Sequence, residues 1–208
     1  MSTAKKGIPF VISGPSGSGK GTIVKEILKQ APERFALSVS ATTRAPRPGE
    51  RNGVDYYFIS REEFERRIAA GEILEYTSYC GNYYGTPKSE VERLTAAGVN
   101  VILEIEIEGG MNARRLLPGT VLMFVLPPDA ETLESRLRGR GTNTEEEISN
   151  RLAKARIEIR SAYDYDYIII NEDNAADLAA AEIISILDAE AHRVSRSTAA
   201  VDAFFAES

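Results

Sequence analysis

Ile8-Pro9-Phe10-Val11-Ile12-Ser13-Gly14-Pro15-Ser16-Gly17-Ser18-Gly19-Lys20-Gly21-Thr22 is the stretch from which the rest of the chain is best read. A short apolar run stops at Gly14, and a helical pattern follows from Thr22 to Gln30 with Ile23, Ile27 and Leu28 on one face. An unbroken apolar run of this length reads as a buried strand. Between strand and helix, Gly14 to Lys20 has the spacing G-x-x-x-x-G-K. Glycines let backbone N–H groups curl around phosphate oxygens, the helix N-terminus adds a partial positive charge, and Lys20 brings a point charge to the β/γ-phosphates. A glycine turn that binds nothing is the plain alternative, opposed by the flanking strand and helix. The spacing indicates phosphate but not which nucleotide. The motif normally ends in a Ser or Thr whose hydroxyl binds magnesium; here Gly21 stands there and Thr22 follows. The motif therefore does not supply its usual direct magnesium ligand.

Working outward, three more continuous apolar runs predict strands: Val99–Ile105, Thr120–Leu126 ended by Pro127-Pro128, and Tyr167–Asn171. Helical periodicity fills the intervals over Lys88–Ala97, Met111–Leu117, Ala130–Leu137, Glu145–Tyr163 and Asp177–Ala191. Alternating strands and helices, with strands apolar on both faces, predict an α/β fold: a P-loop NTPase-type parallel sheet flanked by helices. Two regions interrupt the alternation. Residues 38–86 are rich in Tyr, Thr, Arg and Gly and read as an inserted lobe. Residues 136–151 carry Arg136, Arg138, Arg140 and Arg151 around Gly139 and Gly141 and read as a short lid. The expectation is a single domain over 1–208, with its core at about 8–37 and 87–190 and a tail at about 191–208 whose Phe204-Phe205 either frays or docks.

Composition narrows the chemistry. The chain has 208 residues, 43% hydrophobic, enough for one full core. A net charge of −6 disfavours a nucleic-acid polymer as ligand, while a few local Arg and Lys can still hold small phosphorylated substrates. The lone Cys80 excludes an intramolecular disulfide, fits a reducing compartment, and reads as an incidental or packing thiol rather than a nucleophile. The lone His192, expected at the surface, leaves little material for a metal cluster or a histidine-based triad. Met1–Gly7 lacks a signal peptide's apolar run, and no stretch of 18 apolar residues exists, so no membrane span and a cytoplasmic location are expected. Oligomeric state is not legible.

Ser38-Val39-Ser40-Ala41-Thr42-Thr43-Arg44-Ala45-Pro46-Arg47-Pro48-Gly49-Glu50 predicts a second phosphate site. A stiff Ala45-Pro46 pair separates Arg44 from Arg47, so two guanidinium groups can be held at low entropy cost, and Arg favours bidentate contact with phosphate. Tyr56, Tyr83 and Tyr84 can add hydroxyl donors. Arg/Tyr clusters also occur as plain surface or packing features. A P-loop GTPase should carry an N-K-x-D guanine motif, which is absent; Glu106-Ile107-Glu108-Gly109 only faintly echoes the D-x-x-G switch.

The run Ser38–Glu50, then Gly53-Val54-Asp55-Tyr56-Tyr57-Phe58, then Gly81-Asn82-Tyr83-Tyr84-Gly85-Thr86 resembles the nucleoside-monophosphate lobe of guanylate kinases. The likeness continues in order through Leu103–Gly109, Pro127-Pro128, Arg136-Leu137, Arg140-Gly141-Thr142, Arg151-Leu152 and Tyr165–Asp173, roughly over residues 8–188. The resemblance implies ATP-dependent phosphorylation of GMP, and of dGMP, with ATP as co-substrate and Mg2+ that comes through ATP phosphates and water, with Thr22 or Glu104 as candidate protein contacts. It implies that Arg44, Arg47, Tyr56 and Tyr84 hold the GMP phosphate, and that Ser40, Glu75, Thr86 and Glu106 read guanine. Gly14, Pro15, Ser16, Gly17, Ser18, Gly19, Lys20, Gly21 and Thr22 would hold ATP phosphates, with Arg140 and Arg151 closing over them and Asn171 near adenine. Lys20, Arg44, Arg140 and Arg151 would share the charge of the transferred phosphoryl group. Two positions depart from the family's usual residues: Glu106 replaces Asp and Glu108 replaces Gln. Guanylate-kinase-like modules that bind phosphopeptides are the rival reading, and the complete ATP loop opposes it. Another small-molecule P-loop kinase is opposed by the Glu75 and Arg44/Arg47 set.

Overall fold

The computed structural model describes residues 6–139 and 144–206. Its centre is a five-stranded parallel sheet of β1 (Pro9–Ser13), β2 (Phe35–Leu37), β7 (Asn100–Glu104), β8 (Val121–Leu126) and β9 (Tyr167–Ile170), in the order β2-β7-β1-β8-β9. Alternate side chains of each strand point to opposite faces; β1, β7 and β8 are covered on both, whereas the edge strand β9 leaves Ile168 and Ile170 exposed on one. Phe10, Ile12, Met123 and Val125 turn toward α1 (Lys20–Gln30) and α7 (Ala176–Glu190), meeting Ile23, Ile27, Ile183 and Leu187. Val11, Leu103 and Leu122 turn the other way, toward Val91 of α3 (Lys88–Ala96) and Ala113 of α4 (Ile107–Leu116). That two-sided burial is why the middles of β1, β7 and β8 are wholly apolar.

Three elements differ from expectation. A fifth central strand, β2, was not legible: three residues at a sheet edge make too short a pattern. Helix α4 begins at Ile107 rather than Met111, because Gly109 and Gly110 lie inside it and glycine lowers the helical signal. The predicted helix over Glu145–Tyr163 is α6 (Glu145–Arg160), followed by a 3-10 turn over Ser161–Asp164. Its start is fixed by a reciprocal capping box between Thr144 and Glu147.

Residues between α1 and α3 build a second, smaller sheet of β3 (Ala41–Thr42), β4 (Tyr57–Phe58), β5 (Ile73–Tyr79) and β6 (Asn82–Pro87), in the order β4-β3-β6-β5. With α2 (Arg61–Ala69) it closes its own small core of Ala41, Phe64 and Ile73, flanked by Tyr57 and Tyr83. Beyond β8, α5 (Ala130–Arg138) and α6 pack through Leu133, Leu137, Leu152 and Ala155. The described residues end in α8 (Thr198–Ala206), where Phe204 and Phe205 are exposed and meet edge to face at 5.5 Å. His192 and Cys80 are exposed. Among the described residues no helix is long and apolar enough to cross a membrane.

Candidate active site

The loop between β1 and α1 is shaped by contacts that leave no room for side chains. A Cβ on Gly14 would lie 2.2 Å from the Val125 carbonyl oxygen, and one on Gly19, at φ +89°, would lie 2.2 Å from Asn171 Nδ2. Gly19 caps the start of α1 without a side chain, and no acidic residue stands in the first turn, so its first amides are left for an anion. Lys20 folds back along the loop, its ammonium donating to Gly14 O at 2.6 Å and Pro15 O at 3.1 Å.

Around this loop lies a cleft of about 420 Å³, walled by Ser16, Gly17, Gly19, Lys20, Gly21 and Thr22 on one side and Arg151 and Lys154 of α6 on the other. Gly14, Pro15 and Ser18 lie buried beneath it. Arg151 Nη1 reaches Ser16 Oγ at the outer limit of a hydrogen bond, 3.5 Å. Asn171 sits behind the loop, on the wall of neither cleft, donating from Nδ2 to Ser18 O at 2.8 Å. Its Oδ1, Ser18 Oγ and Arg136 Nη1 are buried without a hydrogen-bond partner among the described residues. Arg136 ties α5 to this corner through Asn171 O at 2.8 Å and Asp173 Oδ1 at 2.6 Å. Arg140 lies outside the described residues, as do Gly141 and Thr142 of the expected lid.

A larger cleft of about 1000 Å³ opens between the two sheets. Ser40, Glu75, Tyr84 and Glu106 line it together, although they are far apart in sequence. Thr86, buried behind them, donates its hydroxyl to Glu75 Oε1 at 2.7 Å. Burial pushes the Glu75 carboxyl above its ordinary value; Thr86 hydrogen bonds oppose the shift, and the Glu106 carboxylate adds to it. Gly109 makes this placement possible: a Cβ there would press on Glu75 Cβ and Cγ at 3.1 Å. The sequence carried no sign of that close approach.

Arg44, Arg47 and Tyr56 do not line the cleft. Arg44 is held by Glu50 at 2.8 Å and lies 5.3 Å from the centre of the Tyr56 ring; that ring meets Tyr84 edge to face at 6.0 Å. Arg47 is exposed.

The two clefts share a wall made of Lys20, Glu104, Glu106, Lys154 and Glu158. Lys154 and Glu158 form an i,i+4 ion pair at 3.2 Å on α6, and Glu158, with a smaller contribution from Glu106, holds the ammonium above its usual value. Neither residue stood in a motif; only the docking of α6 brings them to the junction. Glu104 offers its carboxylate beside the loop, 3.5 Å from where a Cβ on Gly21 would stand. Among the described residues no group of three or more His, Cys, Asp or Glu is arranged to hold an ion. Glu104 beside the phosphate loop, without a clustered ligand set among the described residues, fits a magnesium ion that keeps most of its water and is carried by substrate phosphates.

Comparison with known proteins adds to this geometry. Residues 6–190 match the family described as guanylate kinase. A guanylate kinase of Clostridioides difficile is 50% identical over 192 residues, spanning 92% of each chain. One from Symbiobacterium thermophilum is 49% identical over 201 residues, spanning 97% of this chain and 94% of the other. Among solved structures, a guanylate kinase from Anaplasma phagocytophilum superposes with a TM-score of 0.65 at 34% identity, covering 92% of this chain and 90% of its own.

Proposed function

The chain belongs to the guanylate kinase family, and from that premise we infer that it catalyses ATP + GMP → ADP + GDP, and uses dGMP in the same way. The observation that carries this reading is the shared wall. Lys20, the loop lysine, faces both the phosphate cleft and the cleft that contains Glu75, so a phosphoryl group can pass between two bound nucleotides beside one fixed cation.

Guanine presents N1–H and a 2-amino group on one edge. Glu75, already oriented by Thr86, is the acceptor for both, with Ser40 and Glu106 on the same wall. Adenine lacks those donors and would leave a buried carboxylate unpaired. Sites built on such matching reject the wrong substrate by roughly 10⁴–10⁵-fold. Arg44, Arg47, Tyr56 and Tyr84 take the GMP phosphate. Because Arg44 lies beside the cleft rather than in it, the small sheet, as a lobe over about 38–86, moves toward the core when both substrates are bound. That closure also excludes water, which would otherwise accept the phosphoryl group.

ATP phosphates lie on the loop amides and Lys20, with Arg151 above them and Asn171 supporting the loop from behind. Magnesium, when bound, would neutralise charge on phosphate oxygens, and Glu104 and Thr22 are the residues that would hold it. The protein supplies position and charge rather than covalent chemistry. The reaction belongs in the cytoplasm, and the single exposed cysteine fits a reducing compartment.

Lys20→Ala tests the assignment. Loss of a charge directed at the transferred group is expected to lower kcat by at least about 100-fold, with little change in unfolding temperature, because Lys20 stands on the cleft wall rather than in the hydrophobic core. Near-normal turnover in that variant would remove the loop from the reaction.

A further inference from the structure

Glu50 has no part in the roles described so far, yet it organises the Arg44/Arg47 corner. Its carboxylate accepts Arg44 Nη1 at 2.8 Å and Nη2 at 2.9 Å, two parallel bonds of the fork-to-fork kind. The same Oε2 accepts the backbone N–H of Arg47 at 2.6 Å, and the Glu50 N–H donates back to Arg47 O at 3.0 Å. Arg44 Nη1 also donates to Ala45 O at 2.8 Å. The guanidinium lies 5.3 Å from the Tyr56 ring centre and 5.6 Å from that of Phe58.

An ordinary surface ion pair contributes little, because ordering two long side chains offsets a screened attraction. This pair differs in three ways. It is bidentate, it is tied to the backbone at Arg47, and its side chains are only 15% and 20% exposed. Arg44 is therefore ordered before any ligand arrives, and binding does not bear that entropy cost. Arg44 holds Glu50 down to about 2, first through the hydrogen bonds, with the Arg47 amide next. The carboxylate is accordingly charged across the whole working pH range.

We propose that Glu50 is a positioning residue, which locks the plane of the Arg44 guanidinium and the Arg47 turn so that the corner meets the acceptor phosphate with one net positive charge in a fixed geometry. The proposal rests on the reading of the protein as a GMP kinase. Two unpaired arginines would attract the phosphate more strongly but would not aim it. Glu50 therefore acts on orientation in the transition state more than on ground-state attraction.

The test is a cycle of Glu50→Gln, Arg44→Lys and the double variant, with Glu50→Asp beside them, assayed with GMP and ATP. Glu50→Gln can accept only one of the two Arg44 bonds, and kcat is expected to fall by roughly 10–100-fold. The KM for GMP should move by less than about threefold, and that for ATP not at all. Glu50→Asp keeps the charge and should recover part of kcat; it also supplies the comparison if Glu50→Gln does not fold. On the Arg44→Lys background the Glu50 change should add little, because the two act as a unit. Additive losses, or both KM values rising together with a lower unfolding temperature, would overturn the proposal in favour of a structural role. A readout independent of turnover is the ¹⁵N spectrum of the Arg44 guanidinium. Separate Nη signals from hindered rotation are expected in the wild type and averaged ones in Glu50→Gln; averaged signals already in the wild type would overturn the clamp. A locked Arg44 in a protein that does not phosphorylate GMP would instead refute the kinase reading and leave the clamp standing.

Discussion

Glu75 carries the tension of the site in one side chain. Reading guanine requires it to be ionised, while burial favours its protonated form. Its folded pKa lies above the ordinary 4.5, so between those two values the folded state binds the extra proton. Stability contributed by that proton is present at low pH and lost as pH rises through the window. Affinity for GMP runs the opposite way, rising as the carboxylate ionises. In the acid limb kcat/KM for GMP should therefore fall at a pH above the normal carboxylate range. Glu75→Gln should lower kcat/KM at neutral pH by ~100-fold, flatten that limb, and leave the unfolding temperature at neutral pH equal or higher. Titration of the GMP phosphate, near pH of about 6, is common to both proteins and cancels in the comparison. Parallel pH profiles for the two proteins would show that Glu75 does not read the base. Glu75 was legible as a base reader through the family likeness; its burial, its Thr86 bond and its dependence on Gly109 were not, because they arise from the pairing of β5 with β6 and from the approach of α4 to β5.

At the scale of elements, the phosphate loop works because strand, turn and helix leave amides open where a side chain would close them. Gly19 has two reasons to be glycine: φ of +89°, and the Asn171 amide 2.2 Å from a would-be Cβ. Gly71 has only the first, at φ +67° with open space around it. Gly71→Ala should thus show only the backbone cost of ~1–2 kcal/mol, while Gly19→Ala should exceed it by about 1–2 kcal/mol more and weaken ATP binding. Thermal melting of both variants checks this, and equal losses would refute the role of the Asn171 contact. β1, β7 and β8 could be read from the sequence because burial on both faces makes them continuous; β9 was read from its isoleucine run, although Ile168 and Ile170 are exposed on one face. β2 could not, being three residues at an edge, and the first turn of α4 was hidden by Gly109 and Gly110. Those glycines are there for contact: a Cβ on Gly110 would lie 3.0 Å from the Tyr165 hydroxyl oxygen, as one on Gly109 would crowd Glu75.

At the scale of the whole molecule, two clefts of about 420 and 1000 Å³ meet at Lys20, Glu104, Glu106, Lys154 and Glu158. The motifs indicated which residues bind each substrate, because each motif is local. They did not show that α6 would bring Lys154 and Glu158 to the junction, or that Glu50 would occupy Arg44, since both depend on packing between distant or folded-back segments. The central claim is a choice of acceptor made by a carboxylate: guanine pairs with Glu75 and adenine does not. It is tested most directly by ADP release from ATP with GMP, dGMP, AMP and UMP offered separately to the folded protein. Turnover with GMP and dGMP, and a kcat/KM for AMP and UMP lower by roughly 10⁴-fold or more, is the predicted result. A folded protein that binds ATP but does not turn over GMP, or that uses AMP equally well, would contradict it.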